Sequence, residues 1–263
     1  MANPAFSNSP AFAAGAKAVD FNKPVSSEEL DAMYGRPSAT PVDTDRMTYE
    51  DTIVKTLIAF GLLVATAVIG WNVPLLMIPG AIAGFVLALV NIFKKQPSRG
   101  LVLAYAAAEG LFVGGISFLF GQGFGFDIVP QAVFGTLGVV GVTLLLFLNG
   151  KVRTSPKMTK IFLVGMVGYA VFSLINFGLV AFGATESMFG LRDASPIISI
   201  GLGILIVLLA SYSLVMDFEN VKTGVQRGAP RVYAWQAAFG IMVTVVWLYT
   251  EILRLAAIFS SGD

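Results

Sequence analysis

Seven long stretches of the chain carry almost no charge, at residues 52–71, 73–93, 100–120, 128–148, 158–182, 196–218 and 235–259. A helix rises 1.5 Å per residue, so about 20 residues cross a hydrocarbon core roughly 30 Å thick, and each stretch is long enough. Only 13% of the 263 residues are charged and 56% are hydrophobic, against a charged share of roughly a quarter in soluble domains. The charges are missing in blocks rather than thinned evenly. The sequence therefore predicts an all-α membrane protein: one bundle of seven transmembrane helices over residues 48–263, with lipid as its main solvent.

Residues 1–47 are rich in Pro, Ser, Ala and Asp and bury too little apolar surface to order themselves, so they read as a disordered tail. Thr48-Tyr49-Glu50-Asp51 reads as a helix start, with a capping hydroxyl and acids at the positive end of the dipole. Asn72-Val73-Pro74 reads as a tight turn between the first two helices. Alternate loops hold Lys94, Lys95 and Arg99, then Lys151, Arg153, Lys157 and Lys160, then Lys222, Arg227 and Arg231, whereas the other set holds only Arg192. Basic loops stay in the cytoplasm, so the amino terminus and its tail are expected inside and the carboxyl terminus outside. No secretory signal peptide is expected, since the only early apolar patch, residues 11–16, is too short for one. Gly110 and Gly114 form a G-xxx-G pair, and Gly165, Gly168, Gly201 and Gly203 are also read as close-packing positions between helices.

Several chemistries are excluded. Cysteine and histidine are both absent, which removes disulfides, thiolate nucleophiles, the usual zinc sites, serine–histidine triads and a histidine pH switch. A net charge of +1, without a basic stripe, argues against nucleic acid. Neither an enzyme nor a cofactor is expected. Proton chemistry near neutral pH falls to carboxylates.

The informative residues are therefore the ionisable groups inside the apolar stretches, each costing about 2.5–3.5 kcal/mol at the bilayer centre unless paired, neutral or hydrated. They are Glu109, Asp217, Glu251 and Arg254. Lys55 lies near a helix end, where its stem can snorkel. Glu109 is either an acid hydrogen-bonded to a neighbouring helix or part of an ion path. Asn176 reads first as polar glue between helices, with a polar path as the functional alternative. Asp217 and Glu251 lie on consecutive antiparallel helices whose facing sides could bring the carboxylates together. Such a pair shares a proton, titrates as a unit and could switch with cytoplasmic pH. The same oxygens could hold Ca²⁺, although two side chains alone make a weak site. Arg254 lies three residues beyond Glu251 on the same helix face, so a plain Glu251–Arg254 ion pair stands beside that reading.

The chain resembles the Bax inhibitor-1 (transmembrane Bax inhibitor motif) family in a bacterial form. The resemblance covers about residues 47–260 and rests on the seven-helix plan together with five stretches. These are Gly100-Leu101-Val102-Leu103-Ala104-Tyr105-Ala106, Gly110-Leu111-Phe112-Val113-Gly114, Asn176-Phe177, Ser213-Leu214-Val215-Met216-Asp217 and Leu248-Tyr249-Thr250-Glu251-Ile252-Leu253. It implies a central seventh helix surrounded by the other six, and a pH-sensitive Ca²⁺ leak channel of the bacterial plasma membrane that protects cells against stress. It places the pH sensor and gate on Asp217 and Glu251. Two departures stand out: Glu251 replaces a common Asp, and Arg254 replaces a common Asn. A fixed positive charge there repels a cation, and Glu109 is a candidate to offset it.

The alternative function is a non-transporting regulator that binds another membrane protein, such as a membrane protease, through the tail or the glycine faces. An intramembrane aspartyl protease fits poorly, because Asp127, in the loose Gly123-Phe124-Gly125-Phe126-Asp127 motif, falls on the side opposite Asp217. A retinal protein is excluded because the last helix has no lysine for a Schiff base.

Overall fold

The computed structural model describes residues 26, 27, 45–94, 96–185, 189–193 and 195–260. The expected disordered tail lies almost wholly outside these residues. Among them are seven helices long and apolar enough to cross a membrane. They are α1 (Tyr49–Asn72), α2 (Met77–Phe93), α3 (Arg99–Phe124), α4 (Ile128–Leu148), α5 (Pro156–Ala181), α6 (Pro196–Gln226) and α7 (Tyr233–Ser260). Short 3₁₀ turns occupy Pro74–Leu76 and Gly190–Asp193. Helices suit such a chain because each satisfies its own backbone, where lipid offers no partner.

Local chemistry sets the boundaries. The Thr48 side chain accepts from Asp51 N at 3.1 Å, which is the expected cap. Ser155 and Ser195 cap α5 and α6 in the same way, each followed by a proline at the first helical position, where its missing N–H costs nothing. The turn at Val73-Pro74 forms as expected. The sixth apolar stretch ends at residue 218, but α6 runs on to Gln226, so its last turns carry the polar sequence Glu219-Asn220-Val221-Lys222.

The α2–α3, α4–α5 and α6–α7 connections lie with the start of α1 at one end of the bundle, called here the basic end. Asp45–Met47 continue the chain there: Met47 N donates to Ala229 O at 2.7 Å, Arg231 N donates to Asp45 O at 2.9 Å, and Met47 is buried. Lys55 does not snorkel. It is buried, with its ammonium 2.5 Å from Asp51 and 2.9 Å from Arg231 O, and it lies over the Trp235 ring. Asp51 also accepts from Arg231 at 3.0 and 2.9 Å, so the first turn of α1 is stapled to the α6–α7 connection.

The seventh helix is the centre. Its buried residues, from Ala234 and Trp235 through Thr244 and Leu248 to Arg254 and Ala257, cover every side of it. α1, α3, α4 and α6 pack directly along it. α2 reaches the cluster around Phe239 with Leu87 and Ala88, and α5 reaches Trp247 with the Tyr169 ring. The tightest pairing is α1 against α3. A Cβ on Gly110 would meet Leu63 O and the Thr66 side chain, and one on Gly114 would meet Ala67 O and Trp71 N, so these positions require the missing side chain. Gly203 is filled likewise by Leu255. Gly168 and Gly201, expected at close contacts, instead face outward with nothing near them.

Candidate functional site

Two polar centres lie along the α6–α7 seam, and they are separate. At the basic end, Asp217 accepts a hydrogen bond from the Thr244 hydroxyl at 2.7 Å. Thr244 lies 3.3 Å from the Ser213 hydroxyl, one turn along α6. Gly240, one turn below Thr244, leaves room beside the carboxylate: a Cβ there would lie 3.3 Å from Oδ1. Asp217 also lines a cavity of about 470 Å³ between α2, α6 and α7, with Asn91, Asn220, Tyr233, Gln236 and Met47 among its walls. Its wall is mixed: Ile92, Ala229, Ala237 and Phe239 supply apolar surface, and the polar groups are Asn91, Asn220, Tyr233 and Gln236, with Asp217 as the single carboxylate among the described walls. Such a chamber can hold water and hydrate a cation.

The second centre lies two turns further along α7. Glu251 is 2% exposed and Arg254 is 4% exposed. The Arg254 guanidinium donates from Nε at 3.1 Å and from Nη2 to the same Glu251 oxygen. Arg192, from the 3₁₀ turn between α5 and α6, brings Nη1 to 3.7 Å from the other oxygen. The Arg192 side chain also donates to Tyr169 at 2.6 Å and Ser173 at 3.0 Å, and its carbonyl accepts from Ser199 at 2.5 Å. Two guanidiniums thus enclose one carboxylate. A buried ion of either sign is tolerable only when paired and hydrogen-bonded, which accounts for the convergence.

Between the centres the seam is dry. Leu248 lies between Thr244 and Glu251 on the same face of α7, packed against Leu214 and Ala210 of α6, all three wholly buried. The seven residues from Thr244 to Glu251 span about 10 Å of helix.

This arrangement corrects several sequence expectations. Asp217 and Glu251 do not form a proton-sharing pair. Antiparallel packing sets Asp217 beside Thr244, and the acids are offset along the seam. For the same reason they cannot ligate one Ca²⁺ together, and no group of three or more acidic side chains is placed to hold a metal among the described residues. Glu251 instead forms the simple ion pair with Arg254, reinforced by Arg192. Glu109 does not offset Arg254: its carboxylate lies against Gly84 of α2, where a Cβ would come within 2.9 Å of Oε1. Asn176 does not line a path. Its amide donates to Phe189 O at 3.1 Å and accepts from Leu191 N at 2.7 Å, pinning the connection that carries Arg192.

Sequence reasoning missed Arg192, which it counted only as a loop charge, and Thr244, one hydroxyl among many. A signal for Arg192 was present. Tyr169, Ser173 and Asn176 follow spacings of four and three along an apolar helix, forming a polar stripe that faces the only basic residue in the α5–α6 connection.

Comparison with curated proteins gives no match. The family described as Bax inhibitor 1 like matches residues 3–261, nearly the whole chain. With seven membrane-spanning helices among its described residues, the other six arranged around α7, this multi-pass membrane protein belongs to the Bax inhibitor 1-like family.

Proposed function

We propose that the protein is a pH-responsive cation leak of a bacterial plasma membrane, passing Ca²⁺, with the basic end in the cytoplasm and Asp217 as its sensor. The reading is carried by one observation: Asp217, the single carboxylate among the cavity's described walls, lies beside Asn91, Asn220 and Gln236 and also ties α6 to α7 through Thr244. A hydrogen bond to an ionised acceptor is roughly twice as strong as a neutral one. Protonating Asp217 therefore weakens the tie just below the Leu214–Leu248 layer. The arrangement described is the closed one, since that layer is dry and the arginine pair beyond it repels cations. Opening requires α6 to part from α7 at both levels. The orientation follows from the basic loops.

The experiment is Ca²⁺ flux into reconstituted vesicles across a pH series, for wild type and Asp217→Asn. Wild-type flux should change with pH on the basic side, and the variant should lose that dependence. An unaltered pH profile in Asp217→Asn would sink the reading.

The two guanidiniums favour a second reading, because a net positive plug suits a protein that conducts no cation. In that case it is a non-transporting regulator bound to another membrane protein, and wild type shows no flux at any pH.

A further inference from the structure

Asp217 uses only one of its two oxygens inside the protein. Oδ2 accepts from the Thr244 hydroxyl at 2.7 Å. Oδ1 has no hydrogen-bond partner among the described residues, yet it is not sealed off. It lies beside the bare Gly240, where a Cβ would come within 3.3 Å. Asp217 and Gly240 form the inner end of the cavity between α2, α6 and α7. Asn220 and Gln236, about 5 Å of helix nearer the basic end, are exposed, whereas Asp217 is half-buried.

Asn91 of α2 brings a second acceptor to the same cavity. Its Nδ2 donates to Leu87 O at 2.9 Å and to Leu101 O at 3.3 Å. Both partners are carbonyls, so they hold the amide nitrogen and leave the amide oxygen as the free group. No donor to that oxygen is recorded among the described residues.

The cavity therefore suits a ligand that is positive and carries several donors, and the acceptor set decides which kind. A resident divalent metal needs more charged oxygens than one, and no group of three acidic side chains is placed to supply them among the described residues. A guanidinium pairs with a carboxylate through both oxygens, and Oδ2 is already committed to Thr244. An ammonium is a compact point charge with three donors. The open Asp217 oxygen, the Asn91 oxygen and the rim amides of Asn220 and Gln236 can serve all three. Ile92, Ala237 and Phe239 in the same wall give a short alkyl stem an apolar surface.

We propose that this cavity binds a primary ammonium group on a short alkyl stem, with Asp217 Oδ1 and the Asn91 amide oxygen as acceptors. The proposal rests on the reading of the cavity as a cation site and not on conduction. Its test measures binding rather than flux, so the two can fail separately. The ammonium arrives either on a free amine from the aqueous phase or on a phosphatidylethanolamine headgroup.

The full-length protein in non-ionic detergent is titrated with n-butylammonium at constant ionic strength, followed by calorimetry and by the thermal unfolding midpoint. Binding should saturate. n-Butanol, which has the stem without the charge, and tetramethylammonium, which has the charge without an N–H, should not bind. Asp217→Asn should abolish binding. Gly240→Ala, which narrows the space beside Oδ1 and keeps the carboxylate, should weaken it at least tenfold. The midpoint of each ligand-free variant checks that the fold persists. An equal response to n-butanol or tetramethylammonium overturns the proposal, as does binding that survives Asp217→Asn. A second arm repeats the titration in nanodiscs of phosphatidylcholine with and without phosphatidylethanolamine. A severalfold weaker affinity in the presence of phosphatidylethanolamine upholds the site with the lipid as its source, and an unchanged affinity upholds it for a free amine.

Discussion

The Thr244 hydroxyl donates to Asp217 across 2.7 Å, joining the central helix to α6 about 10 Å below the Glu251 ion pair. The bond gives Asp217 a dedicated partner, and its loss should be measurable on its own. Thr244→Val keeps the shape and removes the donor. It should destabilise the protein by about 1–2 kcal/mol, the range for a hydrogen bond to a charged group tempered by what is found between membrane helices. Thr244→Ser should stay close to wild type. Denaturant-induced unfolding in detergent checks the order, and equal losses for the two variants would remove the bond from the account.

Among the described residues, Glu251 is the one carboxylate paired with buried Arg254 and half-buried Arg192. Glu251→Gln should therefore be far worse than a typical core change, by about 3–5 kcal/mol, because two guanidiniums are left without a counter-charge. Adding Arg254→Met should restore part of the loss. A double-mutant cycle reads the coupling, and strict additivity would mean the pair is not coupled.

The α1–α3 contact predicts opposite outcomes for two glycine substitutions. Gly114→Ala drives a methyl into the Ala67 carbonyl and should sharply reduce folded yield. Gly141→Ala, in α4 with nothing near its missing side chain, should be neutral or stabilising by up to about 1 kcal/mol from helix propensity. Size-exclusion profiles and thermal midpoints of the purified variants separate the two.

At the basic end, Asp51 serves both Lys55 and Arg231, whereas Arg231 is half exposed. Arg231→Ala removes a surface partner and should leave the thermal midpoint almost unchanged. Asp51→Asn leaves the buried Lys55 ammonium with only a carbonyl and should lower the midpoint clearly. A reversed order would show that the staple, rather than the buried lysine, matters.

The helices were legible because the cost of charge in lipid writes itself directly into the chain, and the Thr48 cap and the Val73-Pro74 turn follow local rules. Which buried groups meet was not legible. Reading Asp217 and Glu251 as partners needed the axial register of α6 against α7, and that register is set by how Leu214, Ala210 and Leu248 interlock. Periodicity shows which side of a helix is apolar but not how far it slides along its neighbour. The Glu251–Arg254 pair was legible because both residues lie on one helix, three positions apart. Arg192 comes from a distant connection that only the folded chain brings back into the bundle.

The fifth helix carries a consequence for the order in which the bundle comes apart. Of its described residues only Phe162 is buried, and at the far end it is held by Asn176 and by the bonds of Tyr169 and Ser173 to Arg192. Few buried apolar contacts mark a segment that detaches at low cost, with these polar clasps as its main restraint at that end. The shutter over Glu251 is thus hung on the loosest panel of the molecule. Amide exchange should reach α5 and its connection long before it reaches α7, and the acid at the heart of the protein is uncovered by moving a part that lies at its edge.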